Sequence, residues 1–272
     1  MLSLTDVTKR FESRRGRVDA VADVSFAVEQ GSFVSILGPS GCGKSTLLRL
    51  MAGVAPVTSG EIRLNGNPVR GPVRGLGMVF QTPVLLEWRD VLGNVLLPLE
   101  IMGESAPQAK QRAHELIEMV GLGDFKRRLP WELSGGMQQR VAICRALVIN
   151  PPILLMDEPF GALDALTRDE MALELLRIWN ETQKTIVFVT HSIEEAVLLS
   201  DRVVVMTPRP GQVDQIVAVD IPRPRTFETR HEQRFSEYSH QLRQLIFRRR
   251  VGSTNGGGPA PSVPSASPLL RS

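Results

Sequence analysis

The chain has 272 residues, of which 42% are hydrophobic and 22% charged, and a formal net charge of +3 at pH 7. Such a length fits one large domain or a domain with an inserted lobe, and the small charge argues against nucleic acid as a partner. No apolar run approaches the roughly 18 residues of a membrane span, and a signal peptide is not expected. The two cysteines, Cys42 and Cys144, lie in a glycine loop and in an apolar helical stretch. We therefore expect no disulfide and predict a protein of a reducing compartment.

The first thirty residues predict a pair of short β-strands around a polar turn at 12–17, with apolar residues on both arms. Phe11 ends the first arm. From the residues alone it is either a core aromatic or a platform on which a purine base stacks.

Residues 38–46 read G-P-S-G-C-G-K-S-T and fit the pattern G-x-x-x-x-G-K-[ST]. A short apolar strand precedes this stretch and good helix formers follow it, which is the setting of a phosphate-binding loop. Its glycines let backbone N–H groups face a polyphosphate, and the helix N-terminus adds donors and partial positive charge. We predict that Lys44 binds the β- and γ-phosphates of a nucleoside triphosphate and that the Ser45 hydroxyl binds Mg²⁺. The predicted cofactor-binding residues of the loop are Gly38, Pro39, Ser40, Gly41, Cys42, Gly43, Lys44, Ser45 and Thr46.

Strand and helix signals alternate through the rest of the chain. Strands are predicted at 60–66, 77–81, 153–156, 185–189 and 202–206. This alternation predicts an α/β fold with a mostly parallel sheet that is covered on both faces.

Between the second and third of these strands, residues 82–133 predict an inserted helical lobe, in which Pro107 opens a helix and Gly121 stops it. Two later helices are predicted from capping boxes, one formed by Thr167 and Glu170 and the other by Ser192 and Glu195.

A final amphipathic helix is predicted at 227–250, and its basic end at 248–250 is interpreted as solvated. The tail at 251–272 is rich in glycine, proline and serine and is predicted to be disordered. We therefore divide the chain into a main domain at 1–235 with its helical subdomain at about 82–133, a C-terminal helix at 236–250, and the tail.

Two adjacent carboxylates, Asp157 and Glu158, follow the apolar strand at 153–156. An acid at the end of a central strand beside a phosphate loop is where Mg²⁺ binds, and we assign this role to Asp157. Since side chains alternate along a strand, Glu158 is expected to point the other way and to polarise an attacking water as general base.

Two other features predict contacts with the γ-phosphate. Ser134 is expected to cap a helix whose first backbone donors are left bare by Gly135 and Gly136, which makes a second anion site. His191 follows the strand at 185–189 directly, on the ligand side of an α/β sheet.

In this order the motifs resemble those of the ATP-binding subunit of an ATP-binding-cassette (ABC) transporter, over about residues 1–235. The matching elements are a Walker A loop at 38–46, a Q-loop at Gln81, an L-S-G-G-x-Q signature at 133–138, a Walker B strand at 153–158, a D-loop at 161–164 and the switch His191. The resemblance implies a P-loop NTPase fold with a mostly parallel core sheet, an antiparallel β subdomain and an inserted helical subdomain.

Residue roles follow from the same resemblance. Phe11 would stack on adenine, and Gln81 would touch Mg²⁺ and the attacking water while linking the site to the helical lobe. Ser134, Gly135, Gly136 and Gln138 of the signature would act in trans on ATP bound to a second copy, and Asp164 would lie at the interface. The implied catalytic residues are Glu158, His191, Gln81 and Lys44, and the implied Mg²⁺ ligands are Ser45, Gln81 and Asp157. In two departures from the family pattern, Phe11 replaces the commoner tyrosine and Gly161 stands where many members have serine.

A narrower resemblance, at 85–95, 158–168 and 205–211, is to the nitrate/sulfonate/taurine importer group, which includes importers of pyrimidine vitamin precursors. It implies a homodimer bound to transmembrane permease subunits at the cytoplasmic face of the membrane, and served indirectly by a solute-binding protein that selects the cargo. The alternatives are the ATPase subunit of an exporter, a soluble ABC ATPase acting on ribosomes or DNA, and a regulatory module without turnover. Lys44 and Asp157 are 157 − 44 = 113 residues apart without sustained heptads, which argues against a chromosome-type ATPase.

Overall fold

The computed structural model describes residues 2–13, 16–104 and 106–252. Within them the strands are β1 (Leu2–Ser13), β2 (Gly16–Val28), β3 (Phe33–Leu37), β4 (Ser59–Leu64), β5 (Asn67–Pro68), β6 (Leu76–Val79), β7 (Ile153–Asp157), β8 (Thr185–Thr190), β9 (Arg202–Met206) and β10 (Val213–Ala218). The α-helices are α1 (Lys44–Met51), α2 (Val91–Met102), α3 (Pro107–Met119), α4 (Gly135–Leu147), α5 (Ala165–Thr182), α6 (Ile193–Leu199) and α7 (Gln233–Gly252). Short 3₁₀ helices occupy Gly123–Phe125, Pro130–Glu132 and Phe227–His231.

The central sheet has six strands in the order β10-β9-β3-β8-β7-β6. Five of them run parallel, and β10 pairs antiparallel with β9 at one edge. β3, β7 and β8 are buried along their whole length, which explains their continuous apolar sequences. The predicted mostly parallel α/β sheet is confirmed.

Both faces of the central sheet are covered. Alternate residues of β8 enter different cores: Ile186 and Phe188 pack with helices α2 to α6, whereas Val187 and Val189 pack with α1 and the second sheet. A slip of one residue in strand register would exchange these two faces, so burial fixes the register.

The second sheet is antiparallel, in the order β2-β1-β4-β5. The prediction that β1 and β2 are short is wrong, because they have 12 and 13 residues. Register shifts in β1 between Leu4 and Val7 and again on either side of Lys9 interrupt the two-residue alternation, so the sequence conceals the strand length. Residues 14 and 15 of the predicted turn lie outside the described residues.

One of the two predicted capping boxes is wrong. α5 begins at Ala165, and its N-cap is Asp164, whose side chain accepts a hydrogen bond from the Thr167 backbone N–H at 3.0 Å. Aspartate is the better N-cap, so the helix starts one turn earlier than predicted. Ser192 does cap α6, but the Glu195 carboxylate bonds elsewhere than to the cap backbone, so the second box is only half formed.

α2 and α3 fall within the range predicted for the helical lobe, with Pro107 as the first residue of α3 and Gly121 just beyond its end at φ +68°. The last helix, α7, begins at Gln233 after a 3₁₀ turn, so a helical start at 227 is wrong. The predicted disordered tail lies outside the described residues apart from the end of α7. No described helix combines the length and apolarity needed to cross a bilayer.

Candidate functional site

The carboxyl ends of four parallel strands meet at one edge of the central sheet. Leu37 of β3 pairs with Thr190 of β8 and with Val205 of β9, and Asp157 of β7 pairs with Val189. The segments that leave these ends are the phosphate loop, Glu158, His191 and the loop at 207–212. Ligands of open α/β sheets bind at such an edge.

A cleft of about 340 Å³ lies at this edge of the central sheet. The part of the phosphate loop on its wall is Ser40, Gly41, Gly43, Lys44, Ser45 and Thr46. Phe11, Gln81 and Glu158 also line the cleft, as do three residues that sequence reasoning missed, Val18, Ala20 and Arg209. The structure therefore brings half of the predicted cofactor-binding residues, together with Gln81 and Glu158, to the wall of one cleft, whereas Asp157 and His191 are not part of that wall.

Phe11 is 48% exposed and forms one wall of the cleft, with the Lys9 ammonium 5.2 Å from the centre of its ring. The alternative that Phe11 is a core aromatic is therefore wrong. An exposed ring at a cleft wall suits stacking on a planar base.

The phosphate loop is folded around Lys44, whose side chain is only 4% exposed. Its ammonium donates to the backbone carbonyls of Gly38 at 2.9 Å and Pro39 at 3.2 Å and lies 3.7 Å from a Glu158 carboxylate oxygen. An ammonium has three donors, so capacity for a phosphate oxygen remains. Cys42 is buried, and burial raises the pKa of its thiol, so it contributes to the loop as a backbone and packing residue.

Gly43 shows why the loop needs glycine. Its φ is +100°, and a Cβ atom there would lie 2.5 Å from the Ala20 carbonyl oxygen. Any larger residue would push the loop away from β2.

A magnesium site fits the pair formed by Ser45 and Asp157. The Ser45 hydroxyl donates to an Asp157 carboxylate oxygen at 2.8 Å, and Asp157 is 2% exposed. Burial raises the pKa of this carboxyl, so a cation would stabilise its charged form. The described residues contain no cluster of three or more metal-ligating His, Cys, Asp or Glu side chains. Mg²⁺ in nucleotide sites needs none, because it uses one or two protein oxygens together with phosphates and water.

Glu158 lies between Lys44 and His191, the two side chains predicted to contact the phosphates. One carboxylate oxygen is 3.7 Å from the Lys44 ammonium, and the other is 3.0 Å from His191 Nδ1. Because an ionised carboxylate only accepts, Nδ1 donates, which leaves Nε2 of His191 for another partner. The expectation that strand alternation orients Glu158 is wrong, since β7 ends at Asp157 and Glu158 has a φ of +44°. Such a strained backbone is typical of functional sites.

Gln81 is linked to the helical lobe through α4. Gln139, which is fully buried, donates to the backbone carbonyl of Phe80 at 3.0 Å, and Arg145 donates to the carbonyls of Pro83 and Val84 at 2.8 and 2.9 Å. These hydrogen bonds join α4 to the backbone on both sides of Gln81.

The signature residues lie outside this cleft. Ser134 caps α4 by accepting from the Met137 backbone N–H at 3.3 Å, and the space beside Gly135 is open. Gly136 packs against Leu163, whose methyl carbon would lie 3.2 Å from a Cβ added at this glycine. The Gln138 amide donates to the Pro130 carbonyl at 2.9 Å, so its side chain is engaged by a residue of its own chain. The binding role of these residues stays a prediction that requires a second copy.

The loop at 207–212 was missed as a site element because its partners are distant in sequence. Arg209 Nε donates to the Gly41 carbonyl at 3.2 Å. Gly211 bonds to Ala20 and Ala22 of β2 through its backbone at 3.1 and 3.0 Å, and its Cα lies directly against the Cys42 carbonyl. The loop at 207–212 therefore connects the phosphate loop to β2 of the second sheet through hydrogen bonds.

Comparison with known proteins agrees with this geometry. A family model described as "ABC transporter" matches residues 21–161. Over 78% of this chain and 80% of the relative, the chain is 49% identical to the taurine import ATP-binding protein TauB of Jannaschia sp.. Over 93% of the chain and 97% of the relative, it is 41% identical to the nitrate import ATP-binding protein NrtD of Synechocystis sp..

A solved dimeric ATP-binding cassette in a post-hydrolysis state, bound to ADP and phosphate, superposes with a TM-score of 0.74 at 34% identity. The superposed region is 82% of this chain and 100% of the solved cassette. The fold is that of an ATP-binding cassette, and the chain belongs to the ABC transporter family. Within that family it is similar to the nitrate and taurine import subunits, as the sequence predicted.

Proposed function

We propose that this chain is the ATP-hydrolysing subunit of an ABC importer. The observation that carries the proposal is the meeting of Lys44, Ser45, Asp157, Glu158 and His191 at one edge of the sheet, at the distances given above. A regulatory module without turnover would have no need of a carboxylate held beside both Lys44 and His191. The import subunits among its relatives favour import over export and over a soluble ATPase.

Within the cleft, each group has a distinct task. Lys44 and the backbone N–H groups of the phosphate loop bind and orient the triphosphate. Ser45 and Asp157 would hold Mg²⁺, which would supply positive charge to the phosphates. Glu158 accepts a proton from the attacking water, while His191 holds the carboxylate through Nδ1 and can contact the γ-phosphate through Nε2. Gln81 positions that water and couples the presence of ATP in the site to the position of the helical lobe.

A second copy of the chain completes the site. Ser134 and Gly135 lie outside the cleft of their own chain and present an open helix N-terminus, which suits the γ-phosphate held by a partner. The solved cassettes that resemble this chain are dimeric. ATP would thus be sandwiched between two copies, and hydrolysis would release them.

Mixing two inactive variants tests the shared site. Lys44→Ala removes the phosphate-binding ammonium, and Ser134→Arg blocks the signature helix, so each variant alone should fail to hydrolyse ATP. In a mixed dimer one of the two sites contains an intact Lys44 and an intact Ser134. We therefore expect an equimolar mixture to regain up to about a quarter of the wild-type ATPase rate, because half of the dimers are mixed. A mixture as inactive as its components would contradict a site shared between chains.

The membrane partner would bind at the segment after Gln81. Asn94 is buried and holds this segment through hydrogen bonds with the backbone of Leu86, Arg89 and Asp90, so that Trp88 stands 75% exposed. We propose that this surface meets transmembrane permease subunits at the cytoplasmic face of the membrane, where the chain is peripheral. A solute-binding protein would then act on the complex from the other side.

The cargo is proposed from the relatives to be a small anion of the nitrate, sulfonate or taurine kind, or a pyrimidine precursor. The test is the ATPase rate of the purified transporter complex with its binding protein, against a panel of these solutes. Stimulation by one class identifies the cargo, whereas a complex that moves a solute outward would refute import.

A further inference from the structure

Glu195 is a buried acid on α6 that the hydrolytic site described above does not use. It is 8% exposed, and one of its carboxylate oxygens accepts a short hydrogen bond from the Thr190 hydroxyl. Burial raises the pKa of this carboxyl, so its negative charge depends on the groups that face it.

The Thr190 hydroxyl connects Glu195 to the turn that carries His191. While it donates to Glu195, it accepts a hydrogen bond from the Ser192 backbone N–H at 2.9 Å. The Thr190 hydroxyl therefore links the two residues on either side of His191, Thr190 and Ser192. Thr190 itself is only 2% exposed. His191 lies between these two residues, with its Nδ1 3.0 Å from a Glu158 carboxylate oxygen.

Arg168 on α5 faces Glu195 from the opposite side. Its Nη2 donates to the Leu163 carbonyl at 3.0 Å, and its Nε lies 3.8 Å from the second Glu195 oxygen. This Nε is buried and makes no hydrogen bond within the described residues. A small shift of α5 relative to α6 would bring it within hydrogen-bond distance of the Glu195 oxygen. Leu163 also packs on Gly136 at the start of the signature helix.

We propose that Glu195 and Arg168 are positioning residues that transmit the placement of the turn at 161–164 to His191. The chain of contacts runs from Leu163 through Arg168, Glu195 and Thr190 to the turn containing His191. The inference rests on the proposed function, in which a second copy meets this turn and the signature helix. Closure of two copies would then set the orientation of His191 and with it that of Glu158.

The test compares Glu195→Gln with Glu194→Gln, an exposed acid on the same turn of α6. The glutamine introduced by Glu195→Gln still accepts from the Thr190 hydroxyl but lacks the charge that faces Arg168. We expect kcat for ATP to fall about tenfold with KM changed less than about twofold, because ground-state binding is not touched. Thr190→Val should lower kcat in the same way, Thr190→Ser should restore most of it, and Glu194→Gln should match the wild type.

A second readout does not depend on turnover. The ring signals of His191 in the NMR spectrum of the nucleotide-free protein should shift in Glu195→Gln and Thr190→Val but not in Glu194→Gln. Unmoved signals, or a wild-type kcat in Glu195→Gln, would overturn the inference. A wild-type protein that neither hydrolyses ATP nor dimerises would instead refute the proposed function, and the NMR comparison would still decide the positioning role.

Discussion

Replacing Glu158 with glutamine should lower the steady-state rate of ATP hydrolysis by about a thousandfold and leave ATP binding almost unchanged. Glutamine keeps the size of the side chain and an oxygen that can accept from His191 Nδ1, but it cannot take a proton from water. The phosphate loop and the Ser45–Asp157 pair remain intact, so ATP should still bind and hold two copies together.

The measurements are the steady-state rate of ATP hydrolysis, ATP affinity by calorimetry, and mass in solution at saturating MgATP. Glu170→Gln, an exposed acid on α5, is the matched control and should hydrolyse ATP at the wild-type rate. Turnover within about threefold of wild type in the Glu158 variant would refute its role as general base. A monomeric Glu158 variant under MgATP would count against the two-copy site.

Replacing Gly211 with alanine should weaken ATP binding about tenfold and lower the free energy of unfolding by about 2 kcal/mol. An added Cβ would lie 1.9 Å from the Cys42 carbonyl oxygen and 2.8 Å from a Met206 methyl carbon. The first of these neighbours is backbone of the phosphate loop, so the clash is relieved only if that loop or the loop at 207–212 moves.

Gly71→Ala is the control, since a Cβ at Gly71 meets no atom within 4 Å. Thermal unfolding and ATP titration of both variants separate a local effect on the site from a general loss of packing. Wild-type ATP affinity in the Gly211 variant would show that the contact does not shape the phosphate loop.

The parts of the site that are continuous in sequence could be predicted. The phosphate loop at 38–46 carries its glycines, lysine and hydroxyl in one stretch, and Asp157 follows an apolar strand. Spacing along the chain is therefore enough to indicate their chemistry. The general α/β architecture follows in the same way from alternating strand and helix signals.

Contacts between distant segments could not be predicted. Arg209 and Gly41 are 168 residues apart, and neither residue type marks the contact in the sequence. The pairing of Arg168 with Glu195 likewise depends on the packing of two helices. The predicted start of α5 is wrong because Asp164, interpreted as an interface residue, also has the capacity to cap a helix.

The nucleotide cleft has walls from two independent sheets. Phe11 lies in β1 and Val18 in β2 of the antiparallel sheet, whereas Lys44 and Glu158 belong to segments that follow strands of the parallel sheet. In the function proposed above, the exposed ring of Phe11 and the groups that act on the terminal phosphate therefore lie on separate stretches of polypeptide. Substitutions in β1 and β2 would then change that wall of the cleft and leave Lys44 and Glu158 in place.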